Sequence, residues 1–153
     1  MSIKQEVDLL RRIPLFENID LAKIKLLAFA SERICFEQGN ELCTQGEIGD
    51  AAYVIIDGEA DVTVENNGQA TVVATLGKNA FVGEISILTD VPRTATVTAK
   101  TRVEALRITK ELFYRMISEF PQMGLEIMRV LSLRLADTTR DLTEARAKLK
   151  AAG

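Results

Sequence analysis

The spacing of apolar residues changes twice along this chain, from helical to alternating and back again. Ile3, Val7 and Leu10 recur at three- and four-residue steps ahead of Ile13-Pro14, which predicts a short helix over Ile3–Arg11 stopped by proline. Leu21–Ala30 has the same spacing, and Asp20 stands where a helix N-cap belongs. From Ser31 to Thr109 the chain reads as short β runs, parted by turn residues roughly every eight to twelve positions. Val62 and Val64 share a face opposite Asp61, Thr63 and Glu65, and Ala95, Val97 and Ala99 share one side of the run Arg93–Ala99. Asp57-Gly58 separates Ala51–Ile56 from Ala60–Glu65, and Asn67-Gly68 separates that run from Thr71–Leu76. Both dipeptides favour tight hairpins. After Thr109 the helical period returns, with one helix over Lys110–Phe120, a break at Pro121, and a long helix from Gln122 to Lys150.

Within the long helix Met128, Leu131, Leu135, Thr138, Leu142, Ala145 and Leu149 follow alternating three- and four-residue steps. Such a seam suits pairing with a second chain, whereas a helix lying on its own domain shows a broader apolar stripe. A homodimer through the C-terminal helix is therefore expected, packing on its own domain being the other arrangement. The chain reads as a single domain over residues 1–153, with helices over 1–30, a β-roll over 31–109 and helices over 110–153. The fold class is α+β: an antiparallel, jelly-roll-like β-roll, which limits exposed edges.

Composition narrows the chemistry. The net charge is −3 with no arginine- or lysine-rich tail, so general attraction to nucleic acid is not expected. No apolar run reaches membrane-spanning length and the N-terminus lacks secretion-signal features, so a cytoplasmic protein is expected. The chain has no histidine, which removes the Ser-His-Asp and Cys-His nucleophile systems and His-ligated zinc. Its two cysteines, Cys35 and Cys43, flank a Gly39-Asn40 turn and are too few to close a four-ligand metal site. They read as two free thiols in a β core, the other reading being a redox pair across a hairpin. No enzyme activity, metal or cofactor is expected.

The segment Phe81–Thr96 carries the candidate chemistry. Gly83 permits close backbone approach, Glu84–Leu88 is long enough for one helical turn, and Arg93 offers a guanidinium that can grip phosphate through two parallel bonds. Glu84 cannot face a phosphate, but its carboxylate can accept from a hydroxyl. An anion-binding turn, an arginine and a hydroxyl acceptor together specify a sugar phosphate.

Gly83-Glu84, followed by Arg93 and Thr94-Ala95, resembles the phosphate-binding cassette of the cyclic-nucleotide-binding domain family. Upstream, Gly39, Gln45-Gly46-Glu47 and Tyr53–Glu59 resemble that family's glycine-punctuated β-roll, and the likeness spans about Leu15 to Leu135. It implies that Glu84 accepts from the ribose 2′-hydroxyl, that Gly83, Ile85 and Ser86 line the cassette turn, and that Arg93 pairs with the cyclic phosphate. Thr94 and Ala95 would complete the pocket and Pro92 would fix the turn into the next strand. Thr94 leaves cyclic GMP open beside cyclic AMP. Arg134–Thr139 is similar to the stretch of the bacterial catabolite activator whose hydroxyl residues meet adenine across the dimer, which makes Thr138 and Thr139 candidate ligand residues.

The resemblance implies a module that senses cyclic AMP or cyclic GMP, couples binding to movement of the C-terminal helix, and acts through an unknown protein effector. No DNA-binding domain, direct DNA contact or membrane association is expected. A ligand-insensitive dimerisation module of the same fold is the alternative.

Overall fold

The computed structural model describes residues 2–152, with the side chains of Ile85 and Ser86 outside the described set. Helix α1 (Ile3–Arg11) starts in a capping box, in which the Ser2 hydroxyl accepts from Gln5 N and the Gln5 amide oxygen accepts from Ser2 N at 2.8 Å. After a 3₁₀ turn at Pro14–Phe16, helix α2 (Leu21–Ala30) follows. Asp20 occupies the N-cap position and its carbonyl accepts from Lys23 N and Ile24 N, but its side chain accepts no backbone N–H; the carboxylate takes Lys23 Nζ at 3.2 Å instead. Asp20 therefore stands at the expected N-cap position without a side-chain capping bond, its carboxylate being engaged by a nearby ammonium.

Eight strands follow: β1 (Glu32–Phe36), β2 (Glu41–Cys43), β3 (Ala51–Asp57), β4 (Ala60–Asn66), β5 (Gln69–Leu76), β6 (Phe81–Val82), β7 (Thr96–Ala99) and β8 (Val103–Thr109). Helix α3 (Glu84–Leu88) lies between β6 and β7, and α4 (Lys110–Glu119) and α5 (Pro121–Ala152) close the chain. The strands form two antiparallel sheets with orders β1-β8-β3-β6 and β2-β7-β4-β5. This is the α+β antiparallel roll that the alternation predicts.

Asn67-Gly68 makes the expected two-residue hairpin. Asn66 pairs with Gln69, and both turn residues have positive φ (55° and 80°), which Asn and Gly tolerate best. Asp57-Gly58 does not. It joins β3 to β4, and these belong to different sheets, so the turn passes the chain from one layer to the other. The seventh strand begins at Thr96 rather than Arg93, because the backbone of Arg93 is taken by the loop after β2: Arg93 N donates to Glu47 O and Gly46 N donates to Arg93 O, both at 2.8 Å.

Within the first sheet, strand β3 is covered on both faces. Ala52, Val54 and Ile56 of β3 join a core with Leu10, Phe16, Leu27, Phe113, Met123 and Ile127 of the helices. Ile55 points the other way, into a second core with Val82, Val97, Val103 and Ala105 between the sheets. That accounts for the nearly unbroken apolar run of β3, since a strand covered twice needs no polar face.

The break before Pro121 is present: Phe120 leaves helical geometry (φ −130°, ψ 76°), as expected of a residue preceding proline. Along α5, Met123, Ile127 and Val130 are buried and Leu131 packs against the helical core, while every residue from Ser132 to Ala152 is exposed. Both cysteines are free. Cys43 is buried in β2, whereas Cys35 is exposed on β1 in the other sheet, so only one of them belongs to the core.

Candidate functional site

A cavity of about 180 Å³ opens beside the second sheet. Its floor is Cys43, Val62, Leu76 and Val97, side chains that the antiparallel register sets next to one another: Val97 lies opposite Cys43 on one side and Val62 on the other. Its rim is formed by residues 81–84 and 92–95. Gly83, Glu84, Arg93, Thr94 and Ala95, separate in sequence, therefore meet around one space. The side chains of Ile85 and Ser86 lie outside the described residues, although both belong to α3. Thr138 and Thr139 do not line this cavity; they sit on the exposed part of α5.

The local geometry follows from a few constraints. Gly83 has φ 86°, a left-handed conformation that turns β6 sharply into α3 and that side-chain-bearing residues rarely adopt. Arg93 is anchored at both ends. Its backbone is clamped by Gly46 and Glu47, and its Nη2 donates to the carbonyl of Ala51 at 2.7 Å. Among the described residues no carboxylate lies within ion-pairing distance of this guanidinium, so most of the five donors of this cavity-lining side chain have no protein acceptor to satisfy them. A planar cation with spare parallel N–H groups in a half-buried site is suited to an oxyanion.

Glu84 begins α3 on the opposite side of the opening. Its Oε1 lies 3.9 Å from Nη1 of Arg134, which reaches over from α5. Neither partner is buried, so the pair is weak in water-like surroundings. Among the described residues it is nevertheless an ion pair that joins the pocket to the exposed half of α5. Burial pushes the Cys43 thiol up to about 11, an effect that Arg93 opposes and Glu84 reinforces, so this floor residue stays a neutral thiol. The result is an apolar floor with one cation and one acceptor at the rim. It can hold a flat, partly apolar body carrying a single anionic group and a hydroxyl.

Five contributors have no local signature in the sequence. Val62, Leu76 and Cys43 reach the site through strand register, which no local motif encodes. Arg134 reaches it through the docking angle of α5, and Ala51 contributes a backbone carbonyl. Among the described residues no cluster of His, Cys, Asp or Glu could hold a metal ion, and no helix is long and apolar enough to cross a membrane.

Comparison with known proteins gives a consistent assignment. The family model described as "Cyclic nucleotide-binding domain" matches residues 33–120. The chain is 38% identical over 108 residues to a cAMP-dependent protein kinase regulatory subunit of Yarrowia lipolytica, covering 71% of this chain and 28% of that protein. It is 27% identical over 138 residues to a CRP-like cAMP-activated global transcriptional regulator of Mycobacterium tuberculosis, covering 90% of this chain and 62% of that protein. Among solved structures, the N-terminal domain of a transcriptional regulator from Streptomyces coelicolor matches with a TM-score of 0.79 and 28% identity, covering 88% of this chain and 94% of that one. The chain spans only about a quarter of the length of the fungal regulatory subunits that it matches.

Proposed function

Because the chain belongs to the cyclic nucleotide-binding domain family, a family of regulatory binding modules rather than enzymes, we propose that its cavity binds cyclic AMP or cyclic GMP and that occupancy is relayed to α5. The observation that carries this reading is the setting of Arg93, whose guanidinium is fixed by the Ala51 carbonyl, unmatched by any described carboxylate, and turned to a cavity with Glu84 across it. In this reading Arg93 pairs with the cyclic phosphate, Glu84 accepts from the ribose 2′-hydroxyl, and Gly83, Ile85, Ser86, Thr94 and Ala95 shape the cassette around them. The apolar floor of Val62, Leu76 and Val97 takes the less polar side of the ligand.

Cyclic AMP is the ligand in the names of the regulatory subunit and the CRP-like regulator, which makes it the first to test; Thr94 keeps cyclic GMP beside it. The relay is supported by the Glu84–Arg134 pair, since a ribose hydroxyl and Arg134 would compete for one carboxylate or share it in a new geometry. A ligand can shift the helix only as far as it binds the two arrangements unequally. The exposed seam of α5 supports a homodimer, in which Thr138 and Thr139 would be available to the neighbouring subunit's ligand. The protein effector that such a dimer meets has no signature in the chain.

Calorimetric titration with both nucleotides, beside the Arg93→Ala variant, tests the reading. Loss of a charge-assisted bidentate contact of roughly 2–4 kcal/mol should weaken binding by about one to three decades. Failure of the unmodified protein to bind either nucleotide would refute it. That outcome would favour the second reading, a ligand-insensitive dimerisation module, to which the engagement of Glu84 by Arg134 lends support.

A further inference from the structure

The guanidinium of Arg93 lies between two glycines from different loops, and only one of them has a conformational reason to be glycine. Gly83 has a positive φ, so its identity is explained by the backbone turn into α3. Gly49, in the loop between β2 and β3, has no positive φ and can accept a side chain as far as its own backbone is concerned. Space is what forbids it. A Cβ placed on Gly49 would collide at once with Nη2, Cζ and Nε of Arg93, the last at 2.5 Å, and a Cβ on Gly83 would lie 2.5 Å from Nη1. Real Cβ atoms essentially never come within 3.0 Å of a heavy atom outside their own residue and its chain neighbours. The obstacle is also not free to swing away without loss. Nη2 is bonded to Ala51 O, and the Arg93 backbone is held by Gly46 and Glu47.

We infer that Gly49 is a positioning residue for the anion site: its missing side chain forms the seat in which the Arg93 guanidinium lies flat, with its remaining donors turned to the cavity. The seat is built from three backbone features, namely the Cα of Gly49, the Cα of Gly83 and the carbonyl of Ala51. A carboxylate in the same place would neutralise the charge that an incoming phosphate needs, whereas a carbonyl and two bare Cα atoms orient it and leave it whole. A methyl group at position 49 would tilt the fork out of register with the phosphate while leaving the guanidinium in the protein. This inference rests on the proposed role of Arg93, and its test separates the two.

The test is a double-mutant cycle with two readouts. The unmodified protein, Gly49→Ala, Arg93→Ala and Gly49→Ala/Arg93→Ala are melted without ligand, and the first three are titrated with cyclic AMP and cyclic GMP. Gly77→Ala serves as control, since a Cβ there meets nothing within 4 Å and its φ is ordinary. The expected result is that Gly49→Ala lowers the melting temperature when Arg93 is present and not when it is absent, because the collision partner has gone. It should also weaken nucleotide binding by about tenfold or more, while Gly77→Ala leaves both readouts unchanged. Equal destabilisation by Gly49→Ala in both backgrounds would overturn the inference, as would unweakened binding by a folded Gly49→Ala protein. If the unmodified protein binds neither nucleotide, the functional reading fails, yet the melting cycle still decides whether Gly49 seats Arg93.

Discussion

The exposed half of α5 permits a worked prediction. Leu135 is 68% exposed and Leu142 53% exposed, so neither holds the described fold together, yet both lie on the heptad seam with Met128 and Leu149. Truncating both to alanine removes three carbons from each side chain. At about 0.8 kcal/mol per buried CH₂, full burial would be worth about 2.4 kcal/mol per site. Scaling by the exposed fractions gives about 1.6 and about 1.3 kcal/mol, and two-fold symmetry doubles their sum to about 6 kcal/mol. At 1.4 kcal/mol per decade, the Leu135→Ala/Leu142→Ala protein should dimerise about four decades more weakly. Sedimentation equilibrium over a wide concentration range reads this directly. Thermal unfolding at concentrations where both proteins are monomeric should differ little, because the removed atoms touch no core. A wild-type protein that stays monomeric at millimolar concentration would refute the seam argument. So would a double variant whose dissociation constant is unchanged.

Other outcomes follow from the same geometry. Arg134→Ala should shift the melting temperature very little, since an exposed pair at 3.9 Å contributes under about 1 kcal/mol, but it should shrink the ligand-dependent change in hydrogen exchange along residues 132–150. An unaltered exchange response would exclude this pair as the relay. Because the Cys43 thiol is raised from 9.0 to about 11, the unfolded chain loses that proton first as pH climbs, and stability should fall between about pH 9 and pH 11 by about 2–3 kcal/mol. Cys43→Ala should remove that part of the alkaline loss, measured as a difference in slope between the two proteins under denaturant. With Cys35 exposed and Cys43 buried, an aromatic disulfide reagent should titrate one thiol quickly in the native protein and the second only on unfolding. Gly68→Ala should cost about 1 kcal/mol, because the hairpin holds that residue at φ 80°.

Much of this architecture could be read from residue order alone, and the exceptions share a cause. The helix spans Ile3–Arg11 and Leu21–Ala30, the cassette turn Glu84–Leu88 and the Asn67-Gly68 hairpin were legible because each is specified by neighbours a few positions apart. Sheet membership was not legible. Asp57-Gly58 has the chemistry of a hairpin turn, but whether the chain doubles back on β3 or crosses to the other layer depends on which partners β3 finds, namely β8 and β6. The same limit hid half of the site. Arg93 and Glu84 announced themselves by type and spacing, whereas Val62, Leu76 and Cys43 enter only through cross-strand register. Asp20 stands at its expected N-cap position, but its carboxylate is engaged by Lys23 rather than by a backbone N–H. The steric demand at Gly49 is a contact between loops and has no trace in its own neighbourhood of the sequence.

The double covering of strand β3 has a further consequence. Even-numbered positions of β3 (Ala52, Val54, Ile56) press on the helical layer, while Ile55 presses on the inter-sheet layer that carries the pocket floor. One strand therefore works as a partition wall with a separate tenant on each side. Changing bulk at an even position adjusts the bed on which α1, α2 and α4 lie, and changing it at position 55 adjusts the room behind the pocket. Because neighbouring positions answer to different compartments, drift in a lineage can retune what the cavity admits without loosening the helices, or the reverse, within a stretch of five residues.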